Sequence, residues 1–86
     1  MQKKWTTKQD YELTKGQEKF EKYLEENGFT ITGYRYYNSF NEYRIEKDGI
    51  VGEYRFYNGN IDYKYFIQAF QDWWELRTKL IDMGAN

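Results

Sequence analysis

The chain has 86 residues, no Cys, no His and no Pro, and 13 basic against 14 acidic side chains for a formal net charge of −1. That length is one small domain, and the missing residue types remove disulfides, thiolate nucleophiles, the usual zinc, haem, iron–sulfur and copper ligand sets, and the commonest general base. Phe, Trp and Tyr supply 19 residues while Leu, Ile and Val supply 11, so the expected core is aromatic, each buried ring removing a large apolar area from water.

No apolar run approaches the length of a membrane span, and Met1-Gln2-Lys3-Lys4 is not followed by the apolar stretch of a secretory signal. The expectation is a cytoplasmic protein with no cofactor and no membrane partner. Acidic and basic residues are spread evenly along the chain, and only Lys3, Lys4 and Lys8 form a local basic group, read as a flexible tail over residues 1–8. Trp5 to Leu13 is compatible with an arm or with an extension of the first helix.

Residues 14–28 read as a helix. Thr14 and Gln17 have capping-box spacing, Phe20, Tyr23 and Leu24 share a face, and Asn27-Gly28 supplies a left-handed stop. Residues 29–57 read as three strands. Asp48-Gly49 is a two-residue type I′ turn signal, and Asn38-Ser39-Phe40-Asn41 reads as a four-residue loop. The last helix is expected from about Ile61 to Met83, capped by Asn60 and stopped by Gly84, with a break allowed between Glu75 and Thr78. Its apolar stripe is Phe66, Ala69, Phe70, Trp73, the Arg77 stem, Leu80 and Ile81. The predicted fold is α+β, a two-layer sandwich in the order αβββα within one domain.

Alternation along the strands places Tyr34, Tyr36, Tyr43, Ile45, Tyr54 and Phe56 on one face, under the helices. Arg35, Tyr37, Glu42, Arg44, Glu53, Arg55 and Tyr57 fall on the other, expected to stay wet. The Asp48-Gly49 turn sets Arg44 opposite Glu53 and Glu42 opposite Arg55, whereas the four-residue loop sets Tyr37 opposite Glu42, Arg35 opposite Arg44 and Tyr36 opposite Tyr43. Phe29 and Ile31 reach the core face only if Gly33 forms a bulge. The Arg/Tyr face has the composition of binding hot spots, and a solubilising face laced with cross-strand ion pairs accounts for the same residues equally well.

Catalysis is not expected: Ser39 is the only Ser and has no His to activate it, no carboxylate cluster suits a metal, and Gly49, Gly52 and Gly59 have no phosphate-loop spacing. The element order looks like the double-stranded-RNA-binding domain, a family that presents a Lys cluster at the start of its last helix. Here Asn60-Ile61-Asp62-Tyr63-Lys64 holds one Lys and one Asp, and no basic surplus exists to neutralise phosphates. Base stacking on Tyr37 and Tyr57 beside Arg35 and Arg55 remains a second reading.

Phe66-Ile67-Gln68-Ala69-Phe70, with Trp74 eight residues after Phe66, and Asn41-Glu42-Tyr43 followed by Ile45 carry a different likeness. These segments, over about a third of the chain, resemble the small phage-encoded type II-A anti-CRISPR inhibitors, as do the element order and length. The resemblance implies a non-catalytic inhibitor, encoded by a phage or mobile element, that binds a host protein or nucleoprotein complex and evades host defence. Members of that family use acidic loops to occupy a DNA-recognition surface. The matching loops here, Asp48-Gly49 and Asn58-Gly59-Asn60-Ile61-Asp62, hold little acid, and no binding residue is carried over. Adjacent Trp73 and Trp74 lie about 100° apart on a helix, so Trp73 is assigned to the core stripe. Trp74 is a candidate at the helix edge, either covering the first helix or standing in an interface. Self-association through the same sheet face or an edge strand is a third reading.

Overall fold

Helix α1 (Lys15–Glu26) ends where the sequence marks it. Gly28 takes φ +83°, its N–H reaches the Glu25 carbonyl, and the Phe29 N–H reaches the Leu24 carbonyl at 2.9 Å, which is a Schellman stop. The same stop delivers Phe29 into the core beside Leu24. The structure, a computed structural model, describes residues 3–8, 15–57 and 62–82, the side chains of 81 and 82 excepted. The expected caps Thr14 and Asn60 and the stop at Gly84 lie outside the described residues.

Strands β1 (Thr30–Tyr36), β2 (Phe40–Lys47) and β3 (Ile50–Tyr57) form an antiparallel meander in the order β1-β2-β3. Asp48 and Gly49 both take positive φ, 53° and 79°, as the type I′ turn requires. The β2–β3 register follows from that turn, with Lys47 opposite Ile50, Arg44 opposite Glu53 and Glu42 opposite Arg55.

The first hairpin corrects the sequence-based register by two residues. Arg35 faces Glu42, Tyr36 faces Asn41, Tyr34 faces Tyr43, and the Tyr37 N–H donates to the Phe40 carbonyl at 3.0 Å across a two-residue connection, Asn38-Ser39. The tighter closure stacks the Tyr37 and Phe40 rings 4.6 Å apart and replaces an Arg35–Arg44 contact with Arg35–Glu42. A shift of two preserves side-chain parity, so the assignment of faces is unaffected. The register does slip between Ile31 and Gly33, the bulge that Phe29 and Ile31 needed to face the core.

Helix α2 (Tyr63–Asp82) is continuous, and Thr78 Oγ1 donates to the Trp74 carbonyl one turn back where a break was allowed. Asp62 caps it, its Oδ1 accepting from the Tyr65 N–H at 3.3 Å. The buried stripe is rotated from the expected one. Phe70 is buried and Tyr63, Phe66, Ile67, Trp73 and Trp74 pack around it, while Ala69 and Leu80 are exposed. Trp73 and Trp74 both turn inward because they straddle Gly52, where an added Cβ would lie 2.6 Å from Trp73 and 3.3 Å from Trp74. Both helices cover the same face of the sheet, and Phe20, Leu24, Phe29, Tyr43, Ile45, Phe56 and Phe70 form the core between the two layers. This is the α+β sandwich in the order αβββα.

Candidate binding face

Period-two alternation on three strands builds the outer face as rows running across the sheet. At its tip Tyr37, Phe40 and Tyr57 stand side by side, Tyr37 to Phe40 at 4.6 Å and Phe40 to Tyr57 at 5.4 Å between ring centroids. Cations flank this aromatic row. Lys3 Nζ lies 4.9 Å from the Tyr37 ring centroid and the Arg55 guanidinium 4.6 Å from that of Phe40, both within cation–π range.

The next row is Arg35, Glu42 and Arg55. Glu42 takes both cations, Oε1 3.5 Å from Arg35 Nη1 and Oε2 3.1 Å from Arg55 Nε. Hydrogen bonds from Arg55 to the Tyr57 hydroxyl and then to the Glu42 carboxylate raise the Arg55 pKa further. Arg35 and Glu42 are only 9% and 7% exposed, which corrects the expectation that the whole face stays wet. The cover is Trp5: the Arg35 guanidinium lies 3.8 Å from its ring centroid, and its ring packs where a Cβ on Gly33 would stand. In the third row Arg44 and Glu53 are exposed, and although they sit opposite each other they form no ion pair among the described residues. The predicted face is therefore divided. Tyr37, Arg55 and Tyr57 gather at an accessible tip, Arg35 and Glu42 are locked beneath an arm, and Arg44 and Glu53 lie apart.

Lys3, Trp5 and Phe40 belong to this face and were missed. Residues 3–8, expected as a tail, run antiparallel to β1, with Thr6 N–H to Tyr34 O and Tyr34 N–H to Thr6 O both 2.9 Å. Alternation then puts Trp5 on the outer face and Lys8 towards the helices. Lys8 Nζ pairs with Glu21 Oε1 at 3.0 Å, and the Tyr43 hydroxyl donates to Glu21 Oε2 at 2.9 Å, so α1, the arm and β2 meet on one buried carboxylate. The bond to Glu21 raises the Lys8 pKa. Lys3 to Lys8 holds one apolar residue, Trp5, and so carries no periodicity that would mark it as a strand.

Burial, and after it the Glu21 carboxylate, push the Tyr34 phenol up to about 12 and hold the Tyr43 phenol well above its ordinary value. Burial also raises Tyr54 and Tyr63. Folding thus favours the neutral phenol, a stabilisation complete below the ordinary value of 10.0 and lost as pH rises through the folded value. Lys8 acts in the same direction, its charged form being lost at high pH. The expected outcome is cooperative alkaline unfolding within about pH 10–12, with phenolate absorbance rising together with loss of far-ultraviolet dichroism. Titration of all the tyrosines near 10 with the dichroism unchanged would contradict this packing.

Trp74 is half-buried, edge-on to Phe29 at 5.0 Å. It lines an open groove of about 620 Å³ between α2 and the β2–β3 turn, floored by Phe29, Ile50 and Phe70, with Lys47 and Glu75 at its sides. The other ring contact of Trp74 among the described residues is Trp73, at 5.8 Å between centroids. Among the described residues no group of three or more Asp and Glu is arranged to hold a metal ion, and no helix is long and apolar enough to cross a membrane. Comparison with protein families, with curated proteins and with solved structures finds no match for the chain.

Proposed function

We propose that the protein is a non-catalytic inhibitor or modulator that works by binding another protein, and that it meets its partner through the tip of the outer sheet face. The observation that carries this is the row Tyr37–Phe40–Tyr57, flanked by Lys3 and Arg55. Aromatic rings beside Arg are the side chains that dominate contact energies. A row fixed on three hydrogen-bonded strands loses little conformational freedom on docking. The neighbouring Arg35–Glu42 pair is already neutralised and covered, so the accessible tip has modest charge. That favours a protein surface over a phosphate backbone, which would call for many free cations.

The narrower reading, a phage or mobile-element inhibitor of a host defence complex, draws on the Phe66–Phe70 and Asn41–Ile45 segments. In the fold Asn41, Tyr43, Ile45 and Phe70 are buried, so those segments pack the core and supply no partner-facing residue. The partner-facing residues in this proposal are different ones. Stacking of single-stranded bases on the same row is the second reading, favoured by the cations seated over two of the rings.

Immobilised protein is expected to retain a stoichiometric protein partner from host-cell lysate, insensitive to nuclease treatment. Tyr37→Ala/Tyr57→Ala should reduce that retention by about tenfold or more. Nucleic acid retained without protein would shift the assignment to base stacking. Full retention by the double variant would remove the tip from the function. Arg55 is the better probe of charge, since Arg35 is confined under Trp5 and its loss would disturb the fold.

A further inference from the structure

The two edges of the sheet are treated differently. The β1 edge is covered by the arm through Thr6 and Tyr34, whereas among the described residues no strand pairs with the outer edge of β3. The Asp48-Gly49 turn makes Lys47 and Ile50 a pair that exchanges hydrogen bonds. It follows that Gly52, Tyr54 and Phe56 turn their backbone groups towards β2, while Val51, Glu53, Arg55 and Tyr57 turn theirs outwards. Arg77 confirms the direction, since its Nε donates to the Val51 carbonyl at 2.9 Å from outside the sheet. The strand carries no Pro and no bulge, two devices that usually block an exposed edge.

Beside this edge α2 presents a second unpartnered surface. The flank of α2 bearing Gln71 and Trp74 faces α1 and the start of β1, with Gln71 Nε2 donating to the Tyr23 hydroxyl at 3.0 Å and Trp74 against Phe29. Trp73 and Arg77 lie on the opposite flank and reach β3 at Tyr54 and Val51. Continuing round from Trp73, at helical spacing, come Ala69, Leu76, Leu80 and Tyr65, the last three 58%, 45% and 78% exposed. Arg77 occupies the Val51 carbonyl, so the edge is open from Glu53 to Tyr57, and that stretch lies beside the apolar helix flank.

We propose that this surface pairs with a second copy of the chain, β3 against β3 in antiparallel register about a two-fold axis at Tyr54. The charges select that register. Antiparallel pairing must match outward-turned residues with one another, so an axis at Glu53 sets carboxylate against carboxylate and an axis at Arg55 sets guanidinium against guanidinium. An axis at Tyr54 sets Glu53 opposite the partner's Arg55 and Arg55 opposite the partner's Glu53. It also places Gly52 opposite the partner's Phe56, small against large. Glu53 makes no ion pair within its own chain among the described residues, leaving it available to the partner. The result is a continuous six-stranded sheet with isologous symmetry. The α2 flanks meet close to Ala69, which stands near the level of Tyr54 because Phe66, Phe70 and Trp73 all contact that ring.

Sedimentation of the full chain across a concentration series should give a species of twice the 10.7 kDa chain mass. Its Glu53 and Arg55 amides should be protected from hydrogen exchange although they face away from β2. Glu53→Arg, with far-ultraviolet dichroism unchanged, should weaken the dimer by about tenfold or more, and adding Arg55→Glu should restore it by reversing both pairs. A chain that stays monomeric throughout, a dimer untouched by Glu53→Arg, or a dimer whose Glu53 and Arg55 amides exchange freely would each overturn the proposal. The amide measurement decides the matter on the unmodified chain even if Arg55→Glu fails to fold.

Discussion

Phe20→Ala is expected to cost about 3–5 kcal/mol, the range for truncating a fully buried Phe. That is a large share of the whole stability of a domain of this size, about 4–13 kcal/mol. Phe20 is fully buried and is the ring about which the two layers are organised. Its centroid lies 5.0 Å from Phe66, 5.4 Å from Phe70, 5.6 Å from Tyr43 and 5.7 Å from Phe56. The Phe66, Phe70 and Tyr43 contacts are edge-to-face, the arrangement ring quadrupoles prefer, and all fall within the 4.5–7 Å range in which aromatic pairs add stabilisation beyond buried area. The cavity left by Ala would be lined by rings from α2, β2 and β3, each held by its own element and unable to collapse into it. Urea unfolding should therefore show a much lower midpoint at an unchanged slope. Phe20→Leu keeps most of the volume and should lose far less, and Lys22→Ala on the exposed side of α1 should stay within about 0.5 kcal/mol. Equal losses for Phe20→Ala and Lys22→Ala would contradict the aromatic core.

Why some of this architecture is legible in the sequence, and some not, follows from the range of the forces involved. Asn27-Gly28 and Asp48-Gly49 are readable because a positive φ is a local demand that few residues meet, and the second of them fixes the β2–β3 register by itself. The Asn38–Asn41 stretch carries no such demand, so the first hairpin is decided by packing. Stacking Tyr37 on Phe40 and pairing Arg35 with Glu42 outweigh the looser loop. The outer face is legible in its parity and not in its exposure, because exposure depends on Trp5, which reaches Arg35 only by pairing residues 28 positions apart. The Lys8–Glu21–Tyr43 junction is hidden for the same reason, its three members coming from the arm, α1 and β2. Helix α2 is apolar over so broad an arc that its period fits several rotations. The position of Gly52 beneath both Trp73 and Trp74 selects the one observed and leaves Ala69 and Leu80 outside.

Glu42→Ala should be nearly as damaging as Phe20→Ala, for an electrostatic reason. Glu42 is the single carboxylate between two guanidinium groups, and the arm holds Arg35 against it so that the side chains of both are about nine-tenths buried. Removing the carboxylate leaves Arg35 desolvated, and among the described residues only the Trp5 ring then faces its charge and its Nε already has no hydrogen-bond partner. Breaking a buried pair from one side costs about 3–5 kcal/mol, because the remaining charge is stranded. Glu42→Gln retains an acceptor without the charge and should cost less, on the order of 1–3 kcal/mol. Arg35→Met/Glu42→Leu removes both charges and should recover most of the loss, since an apolar pair of similar volume has no ion to desolvate. Arg55→Ala should matter far less than either single change at Glu42, because the Arg55 side chain is half exposed and water can replace its partner. Urea unfolding of the four variants checks the order. A Glu42→Ala loss no greater than that of Arg55→Ala would mean that Arg35 escapes to solvent, and with it that Trp5 does not close over the face. The Arg35–Glu42 pair under Trp5 is the row beside Tyr37, Phe40 and Tyr57, and Arg55 links the two rows through Glu42 and the Phe40 ring. Glu42→Ala should therefore also weaken partner retention, although Glu42 itself is too buried to touch a partner.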